Sequence, residues 1–138
     1  MTSIVSSYTP AQIAGLSRQE LEALTRADMA ALSFSQIGAL TATGMEALSG
    51  EQLQALSTKQ VTALAATQIR ALSTSQIVFS AAQLAAFNGT QFQGFEAEDI
   101  AAFTTTQIRG LTARELSAAT ADQVDAFSAT QIAAMSAT

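Results

Sequence analysis

Glu96, Glu98 and Asp99 place three carboxylates within four residues, the kind of oxygen cluster that a hard cation such as Ca²⁺ selects. No Asp-x-Asp-x-Asp-Gly loop surrounds them, and acids in the first turn of a helix favour its dipole, so the trio reads as a helix start. Catalysis has less to draw on. The 138-residue chain has no His and no Cys, which removes the commonest general base, thiolate nucleophiles and thiolate metal sites. Its one lysine, Lys59, lies beside Gln60 in a segment like all its neighbours, with nothing near it in sequence to activate a nucleophile. The chain is therefore expected to be non-enzymatic, with no catalytic, cofactor-binding or metal-binding residues and no cofactor.

The remaining polar pattern is a repeat. Written as positions 1 to 8 it is [S/T]-x-x-[Q/E/D]-[I/L/V/M]-x-[A/G]-[L/F], starting at Thr9, Ser17, Thr25, Ser33, Thr41, Ser49, Ser57, Ala65 and Ser73. One residue is then missing, and after this phase shift near Phe79 the starts fall at Ser80, Asn88, Glu96, Thr104, Thr112, Thr120 and Ser128. Sixteen tandem copies cover residues 9–135, preceded by a degenerate N-terminal cap over residues 1–8 and followed at 136–138 by the opening of a truncated further copy.

Each position has a physical job. Position 1 is Ser, Thr or Asn in fourteen copies, the residues whose short side-chain oxygen best accepts from a free N–H at a helix start. Position 4 is Gln, Glu or Asp in every copy but that of Gly44, which completes a capping box. Position 5 is apolar throughout, from Ile13 to Ile132, and with position 8 of the preceding copy it forms a hydrophobic staple. The only proline, Pro10, falls at the first helical position, where proline is best tolerated. Position 7 is Ala or Gly in each full-length copy, small enough for close backbone approach. All seventeen charges avoid positions 5, 7 and 8.

These signals predict a new helix every eight residues. In one continuous helix, eight residues leave a drift of roughly 80°, so the apolar stripe would wind around the surface and half of it would be exposed. A β-solenoid is disfavoured by the Ala- and Gln-rich units and by the absence of alternation. The expected fold is all-α, a solenoid or superhelix of very short helices of about two turns, one per repeat. Interior copies lean on their neighbours, as in other quasi-one-dimensional proteins.

Three further features bear on function. Position 8 is Leu in every copy before the phase shift, whereas Phe79, Phe87, Phe95, Phe103 and Phe127 occupy it from there on. They read as an aromatic-lined groove or as a bulkier core, and the core character of position 8 favours the second. The glutamines at position 4 read as caps rather than exposed amides for ligand recognition. Phe34 is the one large apolar residue at position 2, a lone exposed aromatic or an end contact. The net charge of −5, with no block of like charges, disfavours nucleic acid as a partner, and no apolar run is long enough for membrane insertion. The opening residues have neither a basic n-region nor an apolar h-region, so no standard signal peptide is read.

Thr9-Pro-Ala-Gln-Ile and Thr104-Thr-Thr-Gln-Ile resemble the octapeptide repeat regions of large bacterial secreted and surface proteins, adhesin-like or haemagglutinin-like. The resemblance covers nearly the whole chain and rests on a short, degenerate motif. It implies an extended, non-enzymatic, extracellular segment, secreted or at the cell surface by a route without a standard signal peptide. A second similarity, to the opening helix of TAL-effector repeats, stops at that helix: the second helix and base-reading loop are absent. The expected function is a spacer, stalk or adhesion surface. The alternative is a cytoplasmic scaffold holding a peptide or protein partner, or a filament subunit. The partner is expected to be a protein or cell surface, with self-association through the C-terminal side of Ile132 and Met135.

Overall fold

Each octad becomes a separate element. In the computed structural model, whose described residues are 3–136, fifteen α-helices and two 3-10 turns follow one another, with no strand among the described residues. The chain opens with the 3-10 turn Ile4–Ser7, then runs through α1 (Pro10–Ala14), α2 (Arg18–Glu22), α3 (Arg26–Ala31), α4 (Phe34–Gly38), α5 (Ala42–Ala47), α6 (Gly50–Gln54), α7 (Thr58–Val61) and α8 (Ala66–Arg70). After the 3-10 turn Thr74–Gln76 come α9 (Ala81–Ala86), α10 (Gly89–Phe92), α11 (Ala97–Ala102), α12 (Thr105–Gly110), α13 (Ala113–Ala118), α14 (Ala121–Ala126) and α15 (Ala129–Ser136). α15 runs to Ser136, and residues 137–138 of the expected further copy lie outside the described residues.

The caps explain where each helix starts. Thr9, Ser33 and Ser57 are extended and accept from the N–H three residues on, while Gln12, Gln36 and Gln60 accept the cap's own N–H. Ala65 and Glu96 make no side-chain cap, and the Thr112 hydroxyl turns instead to the Glu115 carboxylate. Helices end without glycine in a left-handed conformation, since no residue has positive φ. At Leu32, Leu48, Phe87 and Leu111 the chain simply returns to extended geometry. Position 8 and the next cap thus form a two-residue corner. Most helical segments run only four to six residues, shorter than the expected two turns, because cap and corner use up the rest of the octad.

Packing shows how many copies make a turn. α1 lies against α4, α2 against α5, α3 against α6, and α9 against α12, each helix meeting the one three places on. Three octads therefore close one superhelical turn and the rod is three-sided. The first face carries the turn Ile4–Ser7, α3, α6, the turn Thr74–Gln76, α11 and α14. The second carries α1, α4, α7, α9, α12 and α15, and the third α2, α5, α8, α10 and α13. Residues 3–8 thus occupy a full repeat position, with Val5 buried as a position-5 residue and the turn Ile4–Ser7 packed on α3.

Positions 5 and 8 of all three faces meet inside in one continuous core. The interior is filled by side chains from Val5 through Ile108, so the superhelix has no hollow channel along that stretch. Phe79, Phe87, Phe92, Phe95 and Phe103 join that core in edge-to-face contacts, with ring centroids 5.3 to 6.3 Å apart. Their rings are buried and thicken the core, whereas Phe127 is only partly buried. The missing residue is absorbed on the first face, where the copy from Ser73 winds only into a 3-10 turn and Ile77 leaves helical geometry (φ −85°, ψ 73°). Val78 is pushed outward against α6, where a Cβ on Gly50 would lie 2.5 Å from Val78 Cγ2. A side chain at position 50 would force the Val78 methyl to turn aside.

Candidate functional site

The position-4 glutamines do two things at once. Each Oε1 closes its own cap, and from Gln36 onward each Nε2 reaches back to the preceding turn, whereas Gln12 is exposed and only caps. Gln36 donates to the carbonyls of Val5 and Tyr8 at 2.7 and 2.8 Å, and Gln60 to those of Met29, Ala30 and Leu32 at 2.9, 3.2 and 2.8 Å. Gln52, Gln68, Gln76, Gln123 and Gln131 repeat the arrangement. The acceptors stand 31 and 28 residues earlier, the position-5 carbonyl in the last part of the helix and the position-8 carbonyl at the corner of one octad. Where the reach spans the missing residue, at Gln83 and Gln91, the offsets shorten to 30 and 27. Carbonyls freed at a helix C-terminus are thereby satisfied by the next turn. These amides are buried, so they are not a row of exposed ligand contacts.

Where position 4 is not glutamine the ladder changes. Gly44 has no side chain to offer, and a Cβ there would meet Leu21 Cδ1 at 3.3 Å. Asp28 lies too near the start of the chain to have carbonyls 31 and 28 residues back; it accepts from Ser3 Oγ and from the Thr25 N–H, which hold its carboxyl below the ordinary range. Glu20 in the first turn is lowered by the Ser17 N–H and hydroxyl. Glu115 is fully buried in a glutamine's place, and its Oε1 has no hydrogen-bond partner.

The acidic trio is split by this arrangement. Asp99 is buried, accepting from the Glu96 N–H and from Thr74 Oγ1 at 2.9 Å, whereas Glu96 and Glu98 face outward. No group of three or more His, Cys, Asp or Glu among the described residues is placed to hold a metal ion. Lys59 is exposed on α7, and Phe34 is 55% exposed on α4.

Two apolar hollows mark the rod's ends. One of about 250 Å³ is bounded by Ile4, Tyr8, Leu16 and Leu24 beside Glu20 and Asp28. The other, about 290 Å³, is lined by Leu116, Val124, Phe127, Ile132 and Met135. Val124 and Ile132 are each 54% exposed, although position 5 is buried from Ile13 to Ile108. No helix is long and apolar enough to cross a membrane.

Folding also sorts the charges by face, with a period of three octads that no single octad displays. Five exposed acids (Glu51, Glu96, Glu98, Asp122 and Asp125) lie on the first face with Arg26. The second face has Lys59 and Arg109 and no acid. The third is mixed and holds the one ion pair among the described residues, Arg18 to Glu22 at 3.1 Å.

The class these features define is an all-α tandem-repeat solenoid. No family model matches the chain, and no curated protein or solved structure matches it.

Proposed function

We propose that the chain is a structural, non-enzymatic segment: a stiff three-sided spacer or stalk of a bacterial secreted or surface-associated protein, displaying its outer faces for adhesion. The observation that supports this reading is the ladder, in which the glutamines at position 4 are spent on tying one turn to the next. A chain whose recurring buried amides tie each turn to the one before is suited to holding a fixed distance. The bacterial and extracellular parts of the reading come from the octad's resemblance to surface-protein repeats. A scaffold that holds a peptide in an inner concave side has no space for it, since the core is continuous; a scaffold would have to use the outer faces.

The test is a distance. Ala11 on α1 and Thr130 on α15 are exposed on the first and last layers of the second face. With packed helices about 8–10 Å apart, five layer spacings put spin labels at these sites roughly 40–50 Å apart. Pulsed dipolar spectroscopy should return one narrow distance there. A broad distribution would remove the spacer reading.

A further inference from the structure

We infer that the acidic first face and the cationic second face are complementary docking surfaces for a second copy of this chain, side by side and parallel. The two faces carry opposite charge at matching heights. α6 and α7 are consecutive helices in the third layer of their faces, and they present Glu51 and Lys59. α11 and α12, two layers further on, present Glu98 and Arg109. In the second layer, α3 presents Arg26 where α4 presents the exposed ring of Phe34, a cation and an aromatic face. Laying the second face of one rod on the first face of another, in register apart from a third of a turn, brings all three pairs together. The antiparallel sense also opposes Glu51 to Arg109 and Glu98 to Lys59, but it separates Arg26 from Phe34, so only the parallel sense joins all three pairs. Among the described residues none of the five charged side chains has a salt-bridge partner, so docking disrupts no ion pair there.

The contact is heterologous, because different faces meet. The docked pair still has one free face of each kind, so assembly continues beyond a dimer until it closes or grows into a bundle. Exposed ion pairs are weak one by one and screened by salt, so the association is expected only at low ionic strength. A rod that stays single can still act as a spacer, so this surface stands or falls apart from the reading above.

Sedimentation velocity over a concentration series, from about 10 mM to about 1 M salt, provides the test. The wild-type chain should show mass-dependent association that disappears at high salt. Lys59→Glu with Arg109→Glu, and separately Glu51→Lys with Glu98→Lys, should each weaken it by about tenfold or more, since attraction becomes repulsion. Mixing the two charge-reversed proteins should restore it, because each then meets a face of opposite sign. Circular dichroism would confirm that both variants remain folded. Arg114→Glu, exposed on the third face, should leave lateral association unchanged. A chain that is monomeric at low salt and high concentration, association insensitive to the four reversals, or a mixture that fails to recover would each overturn the proposal.

Discussion

At the residue scale, the choice of glutamine over glutamate at position 4 is the most informative detail. A capping box accepts either residue, and the sequence reading assigned position 4 to capping alone. The excess of Gln signalled something more: a need for a donor as well as an acceptor, which only the neighbouring turn explains. Glu115 shows the cost of the wrong member of the pair. Its Oε1 is buried without a partner in a place where an amide would donate, so Glu115→Gln should stabilise the chain by about 1–3 kcal/mol in denaturant unfolding. The reverse change, Gln60→Glu, should cost about 2–4 kcal/mol, because three carbonyls lose their donor and face a carboxylate. If both changes proved neutral, the ladder would not be a stabilising feature. Asp28 adds a pH dependence of defined sign. Its folded pKa lies below the ordinary value, so its contribution is complete above the ordinary carboxylate range and is lost as pH falls through the depressed folded value. The stability difference between wild type and Asp28→Asn should therefore be largest near neutral pH and shrink in acid, as followed by thermal melts.

At the element scale, helix existence and helix starts were legible because caps, staple and proline position agreed at almost every octad. The number of octads per turn was not legible. It depends on the angle of a corner built from ordinary extended residues, Leu32 or Phe87 followed by its cap, and nothing in one octad encodes that angle. The small residue at position 7 was read as permitting close approach, and glycine is required where the approach is closest. A Cβ on Gly110 would lie 2.4 Å from the Ala81 carbonyl oxygen and 2.5 Å from Ala81 Cα, both backbone atoms with no flexible end to swing aside. Gly110→Ala should consequently cost about 1–3 kcal/mol by forcing α12 off α9. Gly38, the last residue of α4, has open space around the same added atom, and Gly38→Ala should gain roughly 0.5–1 kcal/mol from the unfolded chain's lost freedom. Opposite signs at two helical glycines, measured in the same urea titration, would locate the steric contact. Equal signs would mean the α9–α12 approach is looser than described.

At the scale of the whole molecule, the rod is a stack whose turns are related by chain offset alone, and that makes its length adjustable in fixed steps. Away from the missing residue, each reaching glutamine finds its carbonyls by counting back 31 and 28 residues, so removing a multiple of eight residues keeps a position-4 side chain over a helix end. Removing residues 17–40 takes out three octads, one full turn. Gln60 would then meet the carbonyls of Val5 and Tyr8, Gln68 those of Ile13 and Leu16, and every later glutamine would keep its present partners. Val78 would still lie over Gly50, the one place where the phase shift needs a specific neighbour. Stability in such a stack is close to a sum of copies and interfaces, so the shortened chain should unfold cooperatively with a denaturant slope lower by about a sixth. Removing residues 17–36 instead shifts the two parts by half an octad. That sets Gln60 over the middle of α1 and joins a half-copy to a full one, without a cap at the junction. The first deletion should keep the helical circular dichroism and a single transition; the second should lose both, or retain only the stack beyond the junction. Similar behaviour of the two deletions would mean that local helix formation, rather than the axial ladder, holds this chain together.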